Sequence, residues 1–349
     1  MNVPEVSLML REANQSPAAV DRLLREEAKG IVEVGAWLRD NPPALVTMAA
    51  RGSSDHAATF FKYLMEVTSG IPVASIGPSV ASLYKQRLRL PSAVHFTVSQ
   101  SGASPDIVAL QAAAKAGGAR TVAIVNVPDS PVAREADLTI QLGAGPEKSV
   151  AATKSFITSA AALAAIVSCA AGDAGFDRGL AALPEALSRT SMIDLSEPQE
   201  ILASARSLFT CGRGPGLGIA MEAALKCKET SGLHAEAFST AEIMHGPLRL
   251  VEHGFPVLGF VQDDMSFDAN CNAMQKLTAL GARTITFSSR EMPGEQTPGA
   301  PVPLPSTGHG LLDPLVALLP AYRLIEAVTR QRGLDPDQPA NLRKVTETL

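Results

Sequence analysis

Two kinds of side-chain cluster in this 349-residue sequence have the residue types and spacing to do chemistry. The first is rich in hydroxyls. An apolar run, Val94 to Val98, leads directly into Ser99-Gln100-Ser101-Gly102-Ala103-Ser104, and Pro105-Asp106 then opens a helical pattern that includes Ile107, Val108 and Leu110. Ser104 suits the N-cap and Pro105 the first helical position. The N–H groups and positive dipole end of such a helix favour an anion, Gly102 lets the backbone approach closely, and Ser99, Ser101 and Ser104 add donors. The loop therefore reads as a phosphate cradle, with a plain serine-capped turn as the alternative. Arg51-Gly52-Ser53-Ser54 is a second loop between a strand and a helix, and in an open parallel sheet such loops lie at the carboxyl ends of strands, where ligands collect. Arg51 either pairs with an anion or points into solvent. Val150-Ala151-Ala152-Thr153-Lys154 opens a long helix, where Thr153 either adds a hydroxyl or only caps.

The second kind is titratable. A helix predicted over about Pro215 to Ser231 carries Glu222, Lys226 and Glu229, four and then three residues apart, so all three project from one face. Such a stripe is either an acid–base set or a solvated salt-bridge face. Its place between Arg213-Gly214 and His234-Ala235-Glu236-Ala237 gathers titratable groups behind a strand, which favours chemistry. Ser239 and Glu242 have the spacing of a capping box for a short helix ending at His245-Gly246-Pro247. At that C-terminus the dipole favours a protonated His245, either as a proton donor or merely as a cap.

These groups need a scaffold, and the hydrophobic pattern supplies one. Apolar runs at Ala44 to Ala50, Val73 to Ile76, Val94 to Val98, Thr121 to Val127 and Leu138 to Leu142 alternate with helical patterns, which is the signature of a parallel α/β sheet. A long Ala-rich helix, about Ala151 to Ala171, and two helical stretches near Gly179 to Arg189 and Glu197 to Ala205 lead to a second set of runs. These are Leu208 to Cys211, Pro256 to Val261 and Thr284 to Ser288, with a weaker one near Pro301 to Leu304. Leu45-Val46-Thr47 before Arg51-Gly52 and Thr68-Ser69-Gly70 match Leu208-Phe209-Thr210 before Arg213-Gly214 and Thr230-Ser231-Gly232, so the halves read as duplicates. The expected fold is α/β, two similar doubly wound parallel-sheet domains in tandem. Expected boundaries are a helical lead-in over residues 1–40, domains over 41–194 and 195–333, and a tail over 334–349. The Pro-rich stretch from Pro293 to Pro305 reads as a loop or irregular edge.

Composition narrows the function classes. Hydrophobic residues make up 46% and charged residues 19% of a chain with net charge −5, which fits a globular protein and gives no global positive field for nucleic acid or an anionic membrane. The four cysteines are far apart, with no CxxC pair and no zinc-type spacing, so a reduced cytoplasmic setting and no metal are expected. The stretch Ile157 to Ala171 reads as a buried helix, shorter and weaker than a spanning one. Glu5, Arg11 and Glu12 interrupt any signal-peptide core, so export is not expected.

Ser99-Gln100-Ser101-Gly102, Val150-Ala151-Ala152-Thr153-Lys154, Leu225-Lys226-Cys227-Lys228-Glu229, His234-Ala235-Glu236-Ala237, His245-Gly246-Pro247 and Asp337-Gln338-Pro339-Ala340-Asn341-Leu342-Arg343-Lys344 together resemble the paired sugar isomerase (SIS) domains of glucosamine-6-phosphate synthase. The resemblance runs from about residue 30 through the tail, with the motifs in the same order. It implies flavodoxin-like SIS domains, a homodimer and a hexose 6-phosphate ligand, with no metal or redox cofactor. It also implies roles: Ser99, Gln100, Ser101 and Ser104 with Gly52, Ser53 and Ser54 hold the phosphate, and Val150 and Ala152 line the sugar site. Glu229 moves a proton between C1 and C2, and Lys226 steadies the charge beside it. His245 helps open the ring from the neighbouring subunit, and Lys344 forms a Schiff base with the open-chain ketose. A positioned carboxylate base and an amine near another cation are sound chemistry for these steps.

The sequence also departs from the synthase pattern. Asn2 follows Met1 where the synthase has a glutaminase cysteine, so use of glutamine is not expected; the same chemistry would have to use free ammonia, and at low ammonia mass action runs it toward deamination. Arg51-Gly52-Ser53-Ser54 replaces Cys-Gly-Thr-Ser, and Ala152 replaces a serine. The closer resemblance is to stand-alone SIS-type glucosamine-6-phosphate deaminases, which implies conversion of glucosamine 6-phosphate to fructose 6-phosphate and ammonia. The alternatives are an aldose–ketose phosphosugar isomerase that handles no nitrogen and a non-catalytic sugar-phosphate-binding regulator.

Overall fold

The computed structural model describes residues 6–292 and 299–344. Three helices come first: α1 (Leu8–Ala13), α2 (Ser16–Glu26) and α3 (Ala28–Asp40). Strands and helices then alternate through β1 (Val46–Ala49), α4 (Ser53–Ser69), β2 (Val73–Ser75), α5 (Ser79–Ser82), β3 (Val94–Ser99), α6 (Pro105–Ala116), β4 (Arg120–Val125), α7 (Pro131–Glu135) and β5 (Leu138–Gln141). Next come α8 (Lys154–Ala171), α9 (Ala174–Arg189) and α10 (Ser196–Ala203). The second series is β6 (Ser207–Gly212), α11 (Pro215–Ser231), β7 (His234–Ser239), β8 (Pro256–Val261), α12 (Phe267–Ala279), β9 (Arg283–Ser288), β10 (Ala300–Pro303) and α13 (Asp313–Gln331).

Two parallel five-stranded sheets result, ordered β2-β1-β3-β4-β5 and β7-β6-β8-β9-β10, so the same doubly wound topology occurs twice. The duplication extends to single residues. Gly52 and Gly214, each 162 positions from the other, cap α4 and α11 with φ/ψ of 55/−131° and 56/−132°. Gly70 and Gly232, with the same offset, end those helices in the left-handed region that glycine adopts at least cost.

Among the described residues, one compact unit holds Ala18–Glu147 and Lys154–Asp177, and the other holds residues 6–17, Lys148–Thr153 and the described part of Arg178–Lys344. In the first unit α4 and α3 pack on α8, and Phe61 meets Phe96 with ring centroids 5.1 Å apart. Helix α8 is 18 residues with mean hydropathy 1.5, long and apolar enough to cross a membrane, so it is stronger than the sequence suggested. Of its residues, 83% are buried inside the protein, which makes it a core helix. In the second unit α13 packs on α11, and Phe260 stacks on Phe287 at 5.3 Å.

Strand β7 was missed in the sequence because exposed His234 and Glu236 flank buried Ala235 and the rest of the strand is half-buried, on a sheet edge where a continuous apolar run is not required. The weak run near Pro301 is β10, the opposite edge; its exposed Pro301 and Pro303 suit a position with one unpaired side. Pro293 and the rest of the Pro-rich stretch up to residue 298 lie outside the described residues, as do residues 345–349 of the predicted tail.

Candidate active site

In the first unit, β3 ends at Ser99 and α6 begins at Pro105, so the predicted loop stands at the carboxyl end of the central strand. Ser99 Oγ accepts the Gly102 N–H at 3.0 Å and folds the loop on itself. Gly102 has φ +60°, and a Cβ there would lie 2.2 Å from Ser130 Oγ, so glycine is required. Ser104 is the N-cap, yet its side chain makes no capping bond, which leaves the hydroxyl for other use. Ser99, Gln100, Ser101 and Ser104 are all half-buried.

The Gly52 loop stands beside it. Register pairs Ala49 with Thr97, so the residues that follow β1 lie alongside those that follow β3. The Gly52 carbonyl accepts the N–H groups of Asp55 and His56, and Ser53 and Ser54 open α4 half-buried. Arg51 pairs with a protein carboxylate: its Nε lies 2.6 Å from Asp106 Oδ2 and its Nη2 closes on the same oxygen. Asp106 is wholly buried, and its Oδ1 accepts the Ile107 N–H at 2.9 Å. Neither partner was paired in the sequence reading, because 55 residues separate them and only the β1–β3 register brings them together. Asp55, also overlooked, lies next to Ser54 with its carboxyl pushed above the ordinary range by burial.

In the second unit the stripe on α11 is not a solvated face. Glu222 and Lys226 are fully buried, and Tyr322 of α13 donates to Glu222 Oε1 at 3.1 Å. Lys226 Nζ lies 3.5 Å from that same oxygen and closes on Glu229 Oε2. Tyr322, Glu222, Lys226 and Glu229 thus form a chain of partners leading outward, and only the Glu229 side chain, 25% exposed, reaches solvent. Buried carboxylates and ammonium groups persist when each is paired, and here the pairing orients one carboxylate at the surface. Tyr322 escaped the sequence reading, since its partner is 100 residues away.

The predicted capping box does not form. Ser239 ends β7, its Oγ accepts only the Ala241 N–H at 3.4 Å, and Glu242–Met244 make a single 3-10 turn without a side-chain cap. His245 follows that turn, exposed, and one 3-10 turn sums too few peptide dipoles to support the helix-dipole argument. Half-buried Lys344 closes the described tail. Upstream, Asp337 accepts the N–H groups of Leu8 and Met9 at 2.8 Å each, and its carbonyl accepts that of Val150 at 3.2 Å. Glu12 accepts the N–H groups of Lys148 and Ser149. Helix α1, read in the sequence only as part of a lead-in, therefore ties the tail to the segment carrying Val150 and Ala152. Burial pushes the thiols of Cys211 and Cys227 up to about 12, so neither is a nucleophile at neutral pH.

With this geometry in view, comparison with known proteins gives a consistent answer. The profile of the SIS domain matches residues 45–169 and 201–292. A glutamine–fructose-6-phosphate aminotransferase (isomerizing) from Zymomonas mobilis is 34% identical over 314 residues, 86% of this chain and 51% of the relative. The chain spans about half the length of the curated relatives it matches. Among solved structures, a protein from Silicibacter pomeroyi assigned as a phosphosugar isomerase is 44% identical, with a TM-score of 0.89 over 95% of this chain and 100% of the other. The C-terminal domain of glucosamine-fructose-6-phosphate aminotransferase from Francisella tularensis is 26% identical, with a TM-score of 0.82 over 96% and 99% of the two chains. Two copies of one doubly wound sheet, a serine-rich loop after the third strand and matches along both halves lead to one conclusion: the chain belongs to the SIS domain family.

Proposed function

We propose that this protein is a phosphosugar isomerase that deaminates glucosamine 6-phosphate, giving fructose 6-phosphate and ammonia. The observation that carries the reading is the buried Glu222–Lys226–Glu229 array, which presents one carboxylate at the surface in a chain similar to the isomerase half of the aminotransferases. In this reading Ser99, Gln100, Ser101 and Ser104, with Gly52, Ser53 and Ser54, hold the phosphate by neutral donors. Once the sugar ring is open, Glu229 takes the proton from C2 and delivers it to C1, and water converts the resulting C2 imine to the ketone with release of ammonia. Lys226 holds the Glu229 carboxylate in place, and Lys344 is the amine that condenses with the ketose carbonyl in the reverse direction. Val150 and Ala152 line the sugar. The exposure of His245 suits a ring-opening role in the site of a neighbouring subunit of a cytoplasmic homodimer.

Incubating the purified protein with glucosamine 6-phosphate should release ammonia and fructose 6-phosphate in equal amounts. Glu229→Gln should lower turnover by about 10²- to 10⁴-fold while sugar-phosphate binding persists; turnover left intact would remove Glu229 from the mechanism. A second reading is supported by the likeness to the Silicibacter protein: aldose–ketose isomerisation without nitrogen. Glucose 6-phosphate turned over faster than glucosamine 6-phosphate is deaminated would favour it.

A further inference from the structure

We propose that Arg51 is a specificity-determining residue of the phosphate loop, held in position by Asp106 and donating to the phosphate of the substrate. The inference rests on the phosphate reading above and extends it to a residue that departs from the synthase pattern. Arg51 stands two positions after Ala49, the last residue of β1, and Ser99 two positions after Thr97, the register partner of Ala49 in β3, so the Arg51 backbone stands beside the start of the loop. Its guanidinium is fixed along one edge: Nε and Nη2 both go to Asp106 Oδ2, in the first turn of the helix that the loop leads into. Asp106 is itself immobile, wholly buried with its second oxygen on the Ile107 N–H. The arginine side chain nevertheless stays 47% exposed.

A guanidinium presents a planar fork of donors, and those not used by Asp106 take no other partner among the described residues. Fixing one edge beforehand lowers the entropic cost of a second, two-pronged contact, which is the geometry that phosphate oxygens accept. The duplicate copy supports the assignment. Arg213 occupies the same backbone position before Gly214, and the loop beside it carries Asp263 and Asp264 in place of Ser101 and Gly102. Among the described residues Arg213 has no carboxylate anchor. The anchored arginine thus occurs with the hydroxyl loop and is absent where the loop is acidic.

Arg51→Gln alone would leave Asp106 buried without a counter-charge, so the informative variant is R51Q/D106N, which removes both charges. Calorimetric titration with inorganic phosphate should show Kd rising about ten- to a hundredfold relative to the parent protein, and KM for glucosamine 6-phosphate should rise in parallel. A double variant that melts near the parent temperature and binds phosphate within about twofold of it would overturn the inference and leave the phosphate reading standing. Parent protein that binds neither inorganic phosphate nor glucosamine 6-phosphate would overturn both. R51K, which keeps a cation on Asp106 but lacks the fork, guards against misfolding of the double variant: a loss of about tenfold or more supports the contact, and undiminished binding contradicts it.

Discussion

The two copies of the sheet share a backbone plan and differ in what they place at equivalent positions. In the first copy the loop after the central strand is Gln100-Ser101-Gly102-Ala103-Ser104; 162 residues later it is Gln262-Asp263-Asp264-Met265-Ser266. Asp264 fills its own loop, accepting the Ser266 N–H at 2.8 Å and the Ser266 hydroxyl at 2.6 Å, while the Gln262 amide takes the Arg213 carbonyl. A carboxylate already seated there repels an anion and satisfies donors the anion would need. The helices after the first strand show the reverse. Glu222, Lys226 and Glu229 of α11 correspond to Phe60, Leu64 and Val67 of α4, of which Phe60 and Leu64 are ordinary buried core. The two copies thus differ in what they carry: the first a hydroxyl-rich loop without a carboxylate, the second a paired Glu–Lys–Glu array, and the proposed function assigns anion binding to the one and proton transfer to the other.

The largest test of that contrast is on the helices. Lys226→Met should lower unfolding free energy by about 3–5 kcal/mol, because Glu222 is left buried without its cation. At the equivalent position, Leu64→Met conserves volume and should cost less than about 1.5 kcal/mol. Urea denaturation of both variants measures the difference; equal costs would mean that the ion array is not what distinguishes the two helices.

Much of the fold was legible because both sheets are central and parallel, so their inner strands read as unbroken apolar runs bounded by glycine turns. The Ser99 loop was legible for the same reason: a strand, a glycine and a capped helix are local signals. What escaped was set by register or by distant partners. Arg51 could be paired with Asp106 only once β1 lay beside β3, and the α11 stripe could be told from a solvated face only once α13 covered it with Tyr322. Strand β7 and the 3-10 turn before His245 were misread because short edge segments are held by neighbours more than by their own sequence.

A smaller effect separates the third strands. His95 of β3 is fully buried, its Nδ1 2.8 Å from the Thr47 hydroxyl, and its counterpart in β8 is Val257. Burial lowers the His95 pKa from 6.5 to about 4. The unfolded chain then binds a proton between these values and the folded one does not, so stability is full above pH 6.5 and falls as pH drops toward 4. The loss by pH 4 should be about 3 kcal/mol, at 1.36 kcal/mol for each pKa unit. His95→Val copies the second strand into the first and should flatten this part of the stability–pH curve, at a cost near neutral pH of about 1–3 kcal/mol for the Thr47 hydroxyl left alone. An unchanged acid slope in the variant would assign the sensitivity to other groups.

The smallest effect tests the closed loop directly. Asp264→Ala removes the carboxylate that holds Gln262 and Ser266, and by analogy with the loss of a helix N-cap it should cost about 1 kcal/mol. The first loop has no equivalent group to lose, since glycine stands at position 102. The measurement is urea denaturation in buffer free of phosphate and sulfate, followed by the same titration with added phosphate. If Asp264 is what closes the second loop, the variant should recover part of its deficit as phosphate occupies the vacated donors, a gain the parent protein lacks at that helix. A variant as stable as its parent without phosphate would show that the loop's own backbone, and not its aspartate, separates the two copies.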